Sequence, residues 1–161
     1  MQLLTVNLQH LAARNLQLKG EILPEEIGLN QLDPLIRVSE PVLYDLEVQK
    51  IERSLLVLGR VHARLQCECS RCLKPFLSAV DLANFAVQLP LEGEDAVPVA
   101  GDLVDLTPYV REDIVLAFPQ HPLCESGCVG LKLTSPASGA QPGPESQMTS
   151  SAWAVLNKLK L

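Results

Sequence analysis

Aromatic side chains are scarce in this sequence, with three Phe, two Tyr and one Trp making up 4% of it. Readers of single-stranded nucleic acid stack bases on such rings, so the shortage argues against an RRM-type reader. Positive charge is short as well: 13 Lys and Arg face 19 Asp and Glu, giving a net charge of −6 and a pI near 5.0. Nonspecific coating of nucleic acid needs many cations against phosphates, and this balance excludes that mode while leaving room for a local basic patch. No apolar run approaches the roughly 18 residues that a membrane-spanning helix requires, so no membrane partner is expected. Catalytic signatures are missing too, with no H-E-x-x-H, no Gly-rich phosphate loop before a helix and no G-x-S-x-G. The expectation is a non-enzymatic protein without a small-molecule substrate. The opening MQLLTVNLQHLAA has neither the basic start nor the long apolar stretch of a secretory signal, which makes the cytoplasm the expected location.

What remains is a chain of 161 residues, 47% hydrophobic, large enough for a core of its own and obliged to build it from Leu and Val. Val42, Tyr44, Leu46 and Val48 alternate with Leu43, Asp45, Glu47 and Gln49 at the two-residue period of a half-buried strand. A second strand runs through residues 55 to 66, with Val57, Gly59, Val61, Ala63 and Leu65 on its apolar face. A turn at Glu52-Arg53 would pair Val48 with Val57, Tyr44 with Val61 and Asp45 with Arg60, so the two apolar faces coincide in an antiparallel hairpin. A third strand, Phe76 to Leu89, changes phase between Leu82 and Phe85, as a bulge near Ala83-Asn84 produces. The fold expected is α+β and mainly β, an antiparallel meander or barrel-like sheet with one or two short helices.

Outside these strands the signals are local. Residues 3 to 23 show no clean helical period, and Pro24-Glu25-Glu26 reads as the opening of a short helix. Residues 91 to 105 are acidic and hold Gly and Pro, the mark of a solvated loop. Thr107-Pro108 reads as the N-cap and first turn of a helix through Val110 and Ile114, which Pro119 must end. Residues 134 to 150 are rich in Ser, Pro and Gly and have little to bury. The expected organisation is one mainly β domain over residues 1–133, a flexible linker over 134–150 and a short amphipathic C-terminal helix over 151–161.

Five cysteines carry the strongest chemical signal, in the clusters CECSRC at 67–72 and CESGC at 124–128. Tetrahedral zinc takes four thiolates at about 2.3 Å, and two intervening residues let one turn aim both sulfurs of Cys69 and Cys72 at one point. Cys124 and Cys128 are one residue looser, with Gly127 available for an unusual backbone angle. The 51 residues from 73 to 123 make this a clamp over a long excursion rather than a compact zinc ribbon. Cys67 falls on the apolar side of its strand with Leu65 and is assigned to packing, while His121 stands as an alternative ligand. Two other readings compete: inert buried thiols, and redox chemistry at the C-x-x-C. The redox reading ranks below metal because the motif ends a strand and leads into another strand, not a helix.

Charge is segregated along the chain. Residues 50 to 76 hold Lys50, Arg53, Arg60, Arg64, Arg71 and Lys74 against Glu52 and Glu68, whereas residues 77 to 113 hold eight acidic residues against Arg111. Arg60, His62 and Arg64 share one strand face about 6.7 Å apart, a spacing close to that of successive phosphates. Arg60, Arg64, Arg71 and Lys74 are therefore the candidate contacts to RNA or a partner. An ordinary solvated strand face would look similar, with Asp45 offsetting Arg60, and with Arg71 and Lys74 offsetting the charge of a tetrathiolate.

The runs CSRCLKPF at 69–76, VDLTPYVREDIVLAFPQHPLC at 104–124 and SAWAVLNKLKL at 151–161 together resemble the bacterial and plastid large ribosomal RNA subunit accumulation protein family, YceD. The pattern is C-x-R-C-x-x-x-F, then E-D-I-x-L-A-x-P, then a later Cys pair, and it falls on Cys69, Arg71, Cys72 and Phe76, on Glu112, Asp113 and Pro119, and on Cys124 and Cys128. Cys67 matches nothing in it. The resemblance implies a cytoplasmic, non-enzymatic factor supporting accumulation of large-subunit ribosomal RNA, acting on that RNA or on a large-subunit ribosomal protein. Many relatives continue with Gly-Leu-Cys and a further Cys-Gly, whereas this chain reads Gly130-Leu131-Lys132. A second knuckle is thus absent, and a zinc site closes with Cys69, Cys72, Cys124 and Cys128. The alternatives carried forward are a zinc-stabilised protein-interaction module with no RNA contact, and a thiol redox factor.

Overall fold

A computed structural model describes residues 4–12, 14–30 and 32–131. The linker and C-terminal helix expected at 134–161 lie outside the described residues. The elements in order are β1 (Thr5–Asn7), α1 (Leu8–Leu11), β2 (Leu16–Ile22), β3 (Ile36–Val38), β4 (Val42–Ile51), β5 (Ser54–Glu68), β6 (Pro75–Pro90), β7 (Val99–Ala100), β8 (Leu103–Asp105) and α2 (Thr107–Leu116).

The long strand β5 organises the molecule. Its first half pairs with β4 and its last residues with β3 along the same edge, while β6 runs antiparallel along the whole of the other edge. With β2 beyond β4, these five strands form a mainly antiparallel sheet curled into a half barrel. The β4–β5 hairpin turns at Glu52-Arg53, and Val48 pairs with Val57, Tyr44 with Val61 and Asp45 with Arg60 as the matched apolar faces require. Gly59 pairs with Phe85 and Val61 with Leu82, so Arg60 stands opposite the two residues Ala83 and Asn84. This is the bulge that the phase change predicts.

Alternation fills one face of the sheet. Leu46, Val48, Leu55, Val57, Val61, Leu65, Phe85 and Leu89 are buried in one cluster, with Ile114 and Val110 of α2 among them. Cys67 belongs to the same cluster, opposite Ile36 and Phe76, in keeping with its role in packing. A second small sheet, ordered β1-β8-β7, contributes Val6 and Val104, both fully buried.

Three local readings change. Residues 91–105 are not wholly a solvated loop: Val104 is drawn into β8 because pairing with Val6 of β1 satisfies its backbone while its side chain enters the core. Pro24 opens a hydrogen-bonded turn rather than a helix, closed by Leu29 N–H donating to the Pro24 carbonyl at 2.8 Å. Thr107 is the first helical residue of α2, not its cap; Asp105 Oδ1 accepts from Thr107 N–H at 2.9 Å, and Thr107 Oγ1 accepts from Leu4 N–H at 3.3 Å. The hydroxyl thus ties the N-terminal strand to the helix start.

Candidate metal centre

The first cysteine pair sits in the turn between β5 and β6. Cys69 N–H donates to the Lys74 carbonyl at 2.9 Å and Leu73 N–H to the Cys69 carbonyl at 2.8 Å, a tight reversal that puts Leu73 at φ 60°. The second pair follows α2, where Pro119 ends the helical path, and Cys128 N–H donates to the Glu125 carbonyl at 3.2 Å. The positive angle of this segment falls on Gly130 (φ 84°) rather than on Gly127. Two bonds fasten one turn to the other: Ser70 N–H to the Pro122 carbonyl at 2.8 Å, and Arg71 Nη1 to the Cys128 carbonyl at 3.0 Å.

These contacts bring the four sulfurs together. Cys69 Sγ lies 3.7 Å from Cys128 Sγ and Cys72 Sγ lies 3.7 Å from Cys124 Sγ, and all four lie within 4.8 Å of one another. Four thiolates about 2.3 Å from a common centre at tetrahedral angles stand roughly 3.8 Å apart, so the cluster has the donor set and spacing to hold a metal ion. His121 is exposed and outside the cluster. Cys69 is fully buried, and the close sulfur pairs run across the two turns rather than within the C-x-x-C, which disfavours redox cycling at that motif.

The electrostatics of the four thiols are divided. Backbone N–H groups of Cys124, Cys72 and Arg71 point at the Cys69 sulfur and pull its pKa down to about 6 against the effect of desolvation. Desolvation and hydrogen bonds from the neighbouring thiols push Cys124 up to about 12. At Cys128 the Gly130 N–H lowers the pKa, but burial and the contacts with Cys72 and Cys69 outweigh it and the thiol is raised. One thiolate is thus prepared by N–H donors while its neighbours resist a second negative charge, a conflict that a bound cation removes.

The candidate contact residues fall in two places. Arg60 and Arg64 are exposed on the solvent face of β5, and Lys74 is exposed at the first cysteine turn. Arg71 spends a guanidinium N–H on the Cys128 carbonyl, which puts it beside the cysteine cluster. Arg64 meets Glu40 at 3.1 Å, an ion pair that sequence spacing did not reveal because Glu40 precedes the hairpin. Asp45 faces Arg60 across the ladder, and its carboxyl is held below the usual range by hydrogen bonds from Lys19 and Gln17. Lys19, Arg60 and His62 together with Leu43 and Asp45 line an open depression of about 440 Å³ on this face. Lys19 belongs to this basic group only through the β2–β4 register, a long-range pairing with no local signal. On α2, Ile114 is buried in the core and Asp113 is half-buried, with its pKa raised by burial and then by Glu112.

Proteins of Mycobacterium tuberculosis and Mycobacterium bovis, each described as uncharacterized, are 29% identical to this chain over 147 residues, covering 83% of it and 68% of their own length. No solved structure gives a significant match. No helix among the described residues is long and apolar enough to cross a membrane. The family model named for the large ribosomal RNA subunit accumulation protein YceD matches residues 57–160, a span that starts within β5 and takes in both cysteine turns, and this chain belongs to that family.

Proposed function

We propose that this chain is a non-enzymatic cytoplasmic factor that supports accumulation of large-subunit ribosomal RNA by binding that RNA directly, with zinc held by Cys69, Cys72, Cys124 and Cys128. The observation that carries the reading is the convergence of four sulfurs on one point within the matched family span. Four protein thiolates complete a tetrahedral site and leave no position for water or substrate, so zinc there supplies fastening rather than catalysis. The fastened turns hold Lys74 and Arg71 at one end of β5, whose solvent face carries Arg64 and Arg60. Phosphates meeting such a stripe gain affinity without base specificity, and the acidic residues beyond β6 limit binding elsewhere.

Arg60→Glu with Arg64→Glu, introduced into the host in place of the native residues, is expected to lower crosslinking of the chain to large-subunit ribosomal RNA about tenfold and to reduce that RNA relative to small-subunit RNA. Crosslinks to ribosomal protein alone, unchanged by the double substitution, would show instead an interaction module that does not touch RNA.

A further inference from the structure

Among the described residues the long strand β6 has a partner on one side only. It pairs with β5 from Pro75 opposite Glu68 to Pro90 opposite Ser54, and among the described residues no strand pairs with its other edge. Alternate N–H and C=O groups over 16 residues therefore face outward, where a strand of ordinary length has only five or six residues. Among the described residues, the one backbone bond reaching β6 from outside the ladder is Val97 N–H to the Pro90 carbonyl, at its very end.

Edges that must stay unpaired usually carry Lys or Pro along their length. Here the prolines stand at the two ends, and between Phe76 and Leu89 the single charged residue is Asp81. Leu77, Ala79 and Ala86 are exposed, so no described residue covers the edge there from the solvent face. At the bulge, Leu58, Arg60, Asn84 and Ala86 border a further depression of about 440 Å³, large enough to seat a side chain from an added strand.

Charge selects the occupant. Asp81 lies on the strand, and just beyond its end Glu94 and Asp95 are exposed while Glu92 pairs with Arg53 at 3.2 Å. A second copy of this chain would bring the same acidic surface and a net charge of −6 of its own, setting like charges against each other. An extended peptide carrying Lys or Arg at alternate positions meets the opposite sign. We propose that the free edge of β6 accepts an extended basic peptide as an added β-strand. Main-chain hydrogen bonds supply the affinity, and the acidic residues supply the selectivity. The outward backbone of β6 is distinct from the side-chain stripe of Arg60 and Arg64, although Arg60 borders the depression at the bulge and His62 pairs with Asp81, so loss of peptide binding leaves the RNA-binding reading standing.

The test titrates the full chain with an acetylated ten-residue peptide of alternating Lys and Val, followed by calorimetry and amide hydrogen exchange. Micromolar binding is expected, with slowed exchange concentrated at residues 76–89. Methylating alternate backbone nitrogens of the peptide should abolish binding, a Glu-Val peptide should bind at least tenfold more weakly, and Asp81→Lys should weaken the Lys-Val peptide about tenfold while exchange elsewhere stays native. Absence of binding, or equal binding by the methylated or acidic peptide, overturns the proposal. So does concentration-dependent dimerisation that protects the same amides, which assigns the edge to a second copy.

Discussion

At position 59 the chain tolerates no side chain. Gly59 adopts φ 152°, and a Cβ built there would sit 2.1 Å from the Asp45 carbonyl oxygen and 2.9 Å from Leu46 Cα, both backbone atoms of the neighbouring strand. Neither can retreat without breaking the β4–β5 ladder beside the bulge. Gly59→Ala is expected to destabilise the fold by about 3 kcal/mol, from the disfavoured backbone angle and the overpacking together, measured as a lower urea midpoint at unchanged slope. Asp45, across the ladder from Gly59's neighbour Arg60, works in the opposite direction on function. Its carboxyl is kept ionised by Lys19 and then Gln17, so at neutral pH it offsets part of the positive face. Asp45→Asn removes that charge with little change of shape and should raise affinity for large-subunit ribosomal RNA about fivefold, with a steeper dependence on salt, in filter-binding titrations.

The two cysteine turns are the elements in which sequence and structure agree for different reasons. Cys69 and Cys72 are legible because a two-residue spacing after a strand demands a tight reversal, and the bond from Leu73 N–H to Cys69 closes it. Their meeting with Cys124 and Cys128 depends on where α2 packs, and α2 is legible from Pro108, Ile114 and Pro119. The hairpin register followed from two-residue alternation alone, and the bulge from one phase change. Partners set by long-range packing were not legible: Val104 joining β8, Glu40 reaching Arg64, and Thr107 bonding to Leu4 rather than capping its helix. The bond from Arg71 to the Cys128 carbonyl was not legible either, since nothing local reveals a carbonyl 57 residues away. That bond bridges the two turns, and removing a charged donor from a partly buried carbonyl costs about 1.5 kcal/mol. Arg71→Ala should therefore weaken metal binding about tenfold in competition with a chromophoric chelator, whereas Lys74→Ala should leave it unchanged.

Across the whole molecule the core and the clamp are distinct. The buried cluster is formed by both sheets and α2 with Leu11, Ile27 and Leu29, and it holds Cys67 but neither Cys69 nor Cys128. Metal removal should thus leave the sheet folded and loosen the segment from 119 to 131, which is tied back otherwise by the Pro122 and Cys128 carbonyls, by the Cys124 N–H on the Cys69 sulfur and by the buried Pro122. A ligand present at about a thousandfold over its Kd stabilises the folded state by roughly 4 kcal/mol, and for a chain of this size that corresponds to about 10 °C in Tm. Chelation is expected to lower Tm by that amount, keep the far-ultraviolet strand signal and open residues 119–131 to protease. The pH dependence follows from the thiols. With Cys124 pushed up to about 12 and Cys128 also raised, both carry protons at neutral pH before metal binds, while Cys69 near 6 has already lost its own. Binding must expel at least the first two, so affinity rises with pH, by about a hundredfold per unit when two protons leave. Lowering the pH through 6 also protonates Cys69 and steepens the loss. Calorimetric zinc titrations in buffers of different ionisation enthalpy read the released protons directly. A count near zero would mean that the four thiols are not the ligands, while Cys67→Ser should leave the count unchanged.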